Sequence, residues 1–173
     1  MPNATPAEVT AWLTNRLPAE WRTTAAPEIT IDREEIVILL ALAVPTVEDE
    51  AAATAAIDGR IAGFRDETRD RRISVALEAE SLFERKVSWG VRCGDRAAMF
   101  THLAAPVMTR LRQPERLVLD TLVAGGVARS RSDALAWCVR LVGQHTSDWL
   151  EQLRTALQDV DRVRAQGPEG SGA

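Results

Sequence analysis

The stretch "PVMTRLRQPERLVLDTLVAGGVARSRSDALAWCVRLVG", residues 106–143, decides the reading of the chain. It opens with about six residues of alternating character. Val107, Thr109 and Leu111 point one way in an extended strand, and Met108, Arg110 and Arg112 point the other. The opposite register would bury two arginines, which is costly without partners. Pro114 then stands where a helix begins, at a position that tolerates a missing N–H, and Glu115 follows in the first turn, where negative charge is favoured. Leu117, Val118, Thr121 and Leu122 give that helix an apolar face, and Gly125-Gly126 ends it.

A second helix starts at Ser130, which with Asp133 makes a capping pattern. Leu135, Cys138, Val139 and Val142 follow at i, i+3, i+4 and i+7, while Ala134, Trp137 and Leu141 fill the other side. A helix that is apolar nearly all round must be buried on most faces. One strand and two helices in 38 residues cannot do that alone, so the segment demands a second copy or another partner. Arg129 and Arg131 crowd the N-terminus of this helix, where the dipole disfavours cations.

Strand, Pro-led helix, glycine turn, Ser-Arg-Ser-Asp and buried helix together resemble the ribbon-helix-helix family of DNA-binding proteins. The resemblance rests on "TRLRQPERL" and "GVARSRSDAL" and covers Val107 to about Val142. It implies a homodimer whose two strands pair as an antiparallel ribbon in the major groove of double-stranded DNA. It makes Met108, Arg110 and Arg112 the base-contacting positions, with the two arginines as the hydrogen-bonding readers of guanine. It places Arg129, Ser130, Arg131 and Ser132 against a backbone phosphate, where an anion at the helix N-terminus would make sense of the arginines. It makes Val107, Thr109, Leu111, Leu135, Trp137, Cys138, Val139 and Val142 the dimer core. The family's module usually opens the chain, whereas here about 105 residues precede it.

Charge distribution agrees with a nucleic-acid partner. The chain carries -4 overall, but between Pro106 and Gly143 six arginines face three acids. That segment is +3 and the remainder about -7, an asymmetry that signals a partner. Lys86 is the sole lysine.

Before this module, residues 1–104 read as a small α+β unit of two β-hairpins around one long helix. Residues 7–21 predict a short amphipathic helix closed by Pro18. In "PEITIDREEIVILLAL" (27–42), Ile29 and Ile31 alternate, "DREE" turns and a β-branched run returns. From Glu48 to about Arg85 the pattern is helical, with Ile57, Ile61 and Phe64 forming a stripe that Ile73 and Leu77 resume, then Leu82 or Phe83. The charge run "RDETRDRR" (65–72) between them reads as a solvated face. "KVSWGVRCGDRAAMFTHL" (86–103) alternates at Val87, Trp89, Val91 and Cys93, turns at Gly94-Asp95 and returns. After the module at 105–145, Leu150, Leu153, Leu157 and Val160 predict a further helix over 146–165, started by Asp148 or Glu151, and 166–173 a disordered tail.

The fold class is thus α+β, with a ribbon-helix-helix dimerisation module at the C-terminal end. His102, His145, Cys93 and Cys138 stand at no metal-binding spacing, and the cysteines read as small buried hydrophobes. No Gly-rich phosphate loop, nucleophile elbow or triad appears, so neither an enzyme nor a cofactor is expected. The N-terminus has no basic start before an apolar run, and no stretch is long enough to span a bilayer. The expectation is a cytoplasmic bacterial regulator of transcription, whose N-terminal unit meets a small-molecule or protein partner. The alternative is an antitoxin-like or adaptor protein that uses the module for dimerisation and protein–protein contact.

Overall fold

The computed structural model describes residues 4–47 and 49–166. The chain divides into two compact units between Val107 and Met108. It is an α+β protein with a four-stranded sheet and six α-helices among the described residues.

The first unit begins with α1 (Pro6–Arg16), which Thr5 and Glu8 start as a reciprocal capping box. The Glu8 carboxylate accepts from the Thr5 backbone N–H at 2.7 Å, which holds its pKa below the usual value. Pro18 closes α1 and leads into a single 3-10 turn, Ala19–Arg22. Then come β1 (Glu28–Ile31), β2 (Glu35–Leu42), α2 (Glu50–Glu67), α3 (Arg69–Phe83), β3 (Lys86–Cys93) and β4 (Arg96–Met99).

Both expected hairpins form: β1 pairs with β2 and β3 with β4, each antiparallel. They merge into one sheet of order β1-β2-β3-β4, because β2 and β3 pair in parallel across the α2–α3 crossover. The register sets Ile36 beside Val87, Ile38 beside Trp89, Leu40 beside Val91 and Leu42 beside Cys93. All eight are buried and share one apolar face for the helices; burial alternates along β2, whereas in β3 Ser88 and Gly90 are buried too. Gly90 sits at the crowded centre of β3, where a Cβ would come within 2.5 Å of the Met99 sulfur and 3.0 Å of the Ala98 carbonyl oxygen. Trp21 bridges sheet and helices, edge-on to Trp89 at 5.9 Å and to Phe64 at 5.8 Å, while Trp12 meets Phe83 at 5.4 Å.

The helical stretch departs from expectation. It is two helices, interrupted at Thr68, whose side chain donates to the Phe64 carbonyl. Ile73 and Leu77 are exposed rather than buried. The buried stripe instead runs Ile61, Phe64, Thr68, Arg72, Val75, Ala79, Phe83. Helical spacing continues through the charge run, but two members of the stripe are polar, so a reading by hydropathy steps off it. The run 65–72 is therefore not wholly a solvated face: Arg72 is only 6% exposed.

The second unit holds α4 (Gln113–Ala124), α5 (Arg131–His145) and α6 (Ser147–Gln166). The further helix expected over 146–165 is present as α6. The tail expected from 166 onward lies outside the described residues beyond Gln166. Among the described residues, the buried apolar core of this unit is Leu119, Ala128 and Ala134, with Leu111, Leu122, Val123, Leu135 and Cys138 half-buried around it.

Candidate nucleic-acid interface

Thr101 hydrogen-bonds to Trp89 of β3, but residues 101–112 form no strand, and only Leu111 among 107–112 is even half-buried. The strand expected at 107–112 is therefore not formed here. A ribbon strand has nothing to pair with inside one chain, and unpaired extended backbone is not a strand. Met108 is 95% exposed and Val107 85%. Thr109, Arg110 and Arg112 are exposed as well. Of the three residues expected to face the core, only Leu111 packs on the small core of the second unit; Val107 and Thr109 do not.

Arg112, in extended conformation, is the N-cap of α4, and Pro114 occupies the first turn. The Arg116 guanidinium reaches back to the Leu111 carbonyl at 2.7 Å, tying the segment's end to the helix. The other end of α4 closes as the glycine pair predicts. Gly126 takes φ +74°, its N–H donates to the Val123 carbonyl at 3.1 Å, and the Val127 N–H donates to Leu122 at 3.0 Å. These are the two bonds of a Schellman motif.

Ser130 caps α5, accepting from the Asp133 N–H at 3.2 Å. Asp133 answers through the Arg129 N–H at 3.0 Å, one residue earlier than a capping box would have it. The N–H groups of Arg131 and Ser132 have no acceptor among the described residues, as expected of a helix N-terminus open to solvent.

Arg131 has a partner that local pattern could not reveal. Its guanidinium makes a two-pronged pair with Asp120 on α4, Nε to Oδ1 at 2.6 Å and Nη2 to Oδ2 at 2.7 Å. The pair holds the Asp120 carboxyl below its ordinary pKa and raises that of Arg131. So the crowding of arginines at this terminus has an internal cause for one of the two, and Arg131 is already engaged in a clamp between α4 and α5. Arg129 is different: neither it nor Arg110, Arg112 or Arg140 makes an ion pair among the described residues. Two of the three acids in the segment are thus turned onto the module's own α4–α5 junction, and the cations of 110–112 stay unneutralised.

The residues expected in a dimer core lie partly open. Leu135, Trp137 and Cys138 are half-buried, whereas Val139 is 65% exposed and Val142 56%. Trp149, Leu153, Leu157, Val160 and Val163 continue an exposed apolar stripe along α6. Cys93 and Cys138 are both free thiols. Among the described residues no cluster of three or more His, Cys, Asp or Glu could hold a metal ion, and no helix is long and apolar enough to cross a membrane.

Residues 7–99 match the family described as Rv1265-like protein, N-terminal domain, and residues 112–164 match the Mb1296 C-terminal domain. Residues 100–111 lie between the two matches. Relatives include the proteins named Uncharacterized protein Mb1296 of Mycobacterium bovis and Uncharacterized protein Rv1265 of Mycobacterium tuberculosis. Each is 55% identical over 159 residues, which are 91% of this chain and 69% of the relative. No solved structure matches the chain. With both matches in sequence order and this identity over nearly its whole length, the chain belongs to the Rv1265-like protein family, its N-terminal domain followed by an Mb1296 C-terminal domain.

Proposed function

We propose that the chain is a homodimeric, sequence-specific DNA-binding regulator of transcription of the ribbon-helix-helix type. In this reading two copies of the second unit interlock, and the segments around 107–112 pair as a ribbon for the major groove. The observation that carries it is the second unit's core. Three buried apolar residues among those described do not stabilise three helices, while Val139, Val142 and Trp149 stand in solvent. A second copy supplies both the missing apolar cover and the missing strand. The unpaired Arg110 and Arg112 then project from the ribbon's outer face, where arginine reads guanine edges. Arg129 and the open N–H groups of Arg131 and Ser132 supply the phosphate contacts, with the Ser130 cap fixing their direction. Arg131 itself contributes through its backbone, its side chain being held by Asp120.

Duplex binding against salt concentration tests the reading on the full chain and on an Arg110→Ala/Arg112→Ala variant. Affinity of the wild type should fall steeply with salt, by a slope of about -0.9 per phosphate contacted on logarithmic axes. The variant should bind weakly. If a folded wild-type dimer fails to bind duplex even at low salt, the module is an interface alone, and an antitoxin-like or adaptor role replaces this one.

A further inference from the structure

The α2–α3 junction of the first unit holds a cleft of about 330 Å³, lined by Arg65, Asp66, Arg69, Arg72, Ile73 and Phe100 among others. Arg72 is its base. Its guanidinium lies 4.8 Å from the centroid of the Phe100 ring, and that of Arg65 lies 5.9 Å from the same ring. Arg72 Nε donates to the Thr68 hydroxyl at 3.0 Å and Nη2 to the Arg65 carbonyl at 2.7 Å. Both acceptors are neutral. Among the described residues no carboxylate pairs with Arg72, although buried arginines are ordinarily paired.

A structural role explains part of this. The Arg65 carbonyl belongs to the last turn of α2, where a cation is favoured, so Arg72 caps that helix. Capping does not explain why Arg65 and Arg69 converge on the same cleft. Burial pushes the Arg72 pKa down, and repulsion from Arg65 and then Arg69 pushes it further, with Asp66 opposing only in part. Arg69 reaches Asp70 at 3.9 Å, an exposed contact outside the cleft lining. Arg65, Arg69 and Arg72 line this half-open cleft with the single carboxylate of Asp66, so its lining is net positive even with Asp70 drawn to Arg69.

We propose that this cleft binds the phosphate group of a small phosphorylated molecule, taking it as a dianion. A phosphate monoester carries roughly -1.5 to -2 at neutral pH, opposite in sign to the cleft's lining. Planar guanidiniums fit phosphate oxygens two at a time; that of Arg72 is held by Thr68 and the Arg65 carbonyl, and those of Arg72 and Arg65 both lie against the Phe100 ring. The size lies at the low end of ligand pockets, roughly 300–1,000 Å³, which suits a phosphate with a small organic body resting against Ile73. The inference is independent of DNA binding by the second unit.

The test is a titration of the full chain with inorganic phosphate, read by the NMR resonance of Arg72 Nε–H. A saturating shift is expected, with weaker binding at pH 5.5 than at pH 8 because the dianion is lost. Arg65→Gln/Arg69→Gln, at two exposed positions, should weaken binding at least tenfold with the circular dichroism unchanged, and Arg65→Lys/Arg69→Lys should keep part of it. No saturation by roughly 10 mM, an affinity weaker than about -3 kcal/mol, overturns the proposal. So does a cleft that responds to duplex DNA and not to phosphate, since the site would then belong to a nucleic-acid backbone. Equal phosphate binding by the glutamine variant also overturns it, leaving Arg72 as a helix cap only.

Discussion

The two units use apolar residues in opposite ways. The first encloses its large side chains: Leu13, Ile36, Ile38, Leu40, Phe83 and Val91 are fully buried between one sheet face and its helices. The second, among its described residues, encloses Leu119, Ala128 and Ala134 and leaves Val139, Val142, Trp149 and Leu153 in solvent. The difference teaches where each unit's stability comes from. A sheet with helices on one face closes a core inside one chain. Helices with apolar residues on two sides cannot, and their second face is available to another chain.

The largest effect that sharpens this contrast is in the first unit. Phe83→Ala removes a buried ring packed on Trp12 and should cost about 3–5 kcal/mol, independent of protein concentration. Urea unfolding followed by tryptophan fluorescence measures it; a cost under about 1 kcal/mol would mean that the core is looser than its geometry implies.

Next comes Val142→Asp on α5. In an isolated chain this exposed position tolerates charge, so helix content should hold. In a dimer it lies in the apolar contact, and self-association should weaken at least tenfold, about 1.4 kcal/mol. Sedimentation equilibrium decides; an unchanged dimer constant places the interface elsewhere.

Gly126→Ala follows. Nothing lies within 4 Å of where its Cβ would go, so the cost is that of left-handed backbone alone, about 1–2 kcal/mol. A neutral result would show that the α4–α5 turn can close another way.

The smallest effect is the acid dependence of the Asp120–Arg131 clamp. The folded carboxyl titrates below its unfolded value, so its contribution is complete above the ordinary Asp range and disappears as pH falls through the depressed value. Melting curves from pH 7 to pH 3 should show a loss that Asp120→Asn lacks. Parallel curves for the two proteins would mean that the exposed pair contributes nothing.

How much of this was legible beforehand follows from how local each cause is. Alternation at Ile29/Ile31 and at Val87, Trp89, Val91 and Cys93 announced both hairpins, since period 2 is written along the chain. Pro114, Gly126 and Ser130 announced the helix ends for the same reason. The parallel joining of β2 to β3 was not legible, because register between distant strands leaves no local mark. Arg72 was misplaced because a buried cation looks like a solvated one by hydropathy, although its spacing from Phe64 and Thr68 carried the signal. Of the candidate interface, strand alternation did not separate inward from outward residues, since Val107 and Thr109 are as exposed as Arg110 and Arg112, and the Asp120 partner of Arg131 required the α4–α5 turn to bring it near.

Sedimentation velocity of the full chain across the micromolar range tests the central claim most directly, that the second unit is half of a fold. The account predicts a single species of twice the 19.0 kDa chain mass. A monomer at all concentrations, with the helices of the second unit fully formed by circular dichroism, would contradict it.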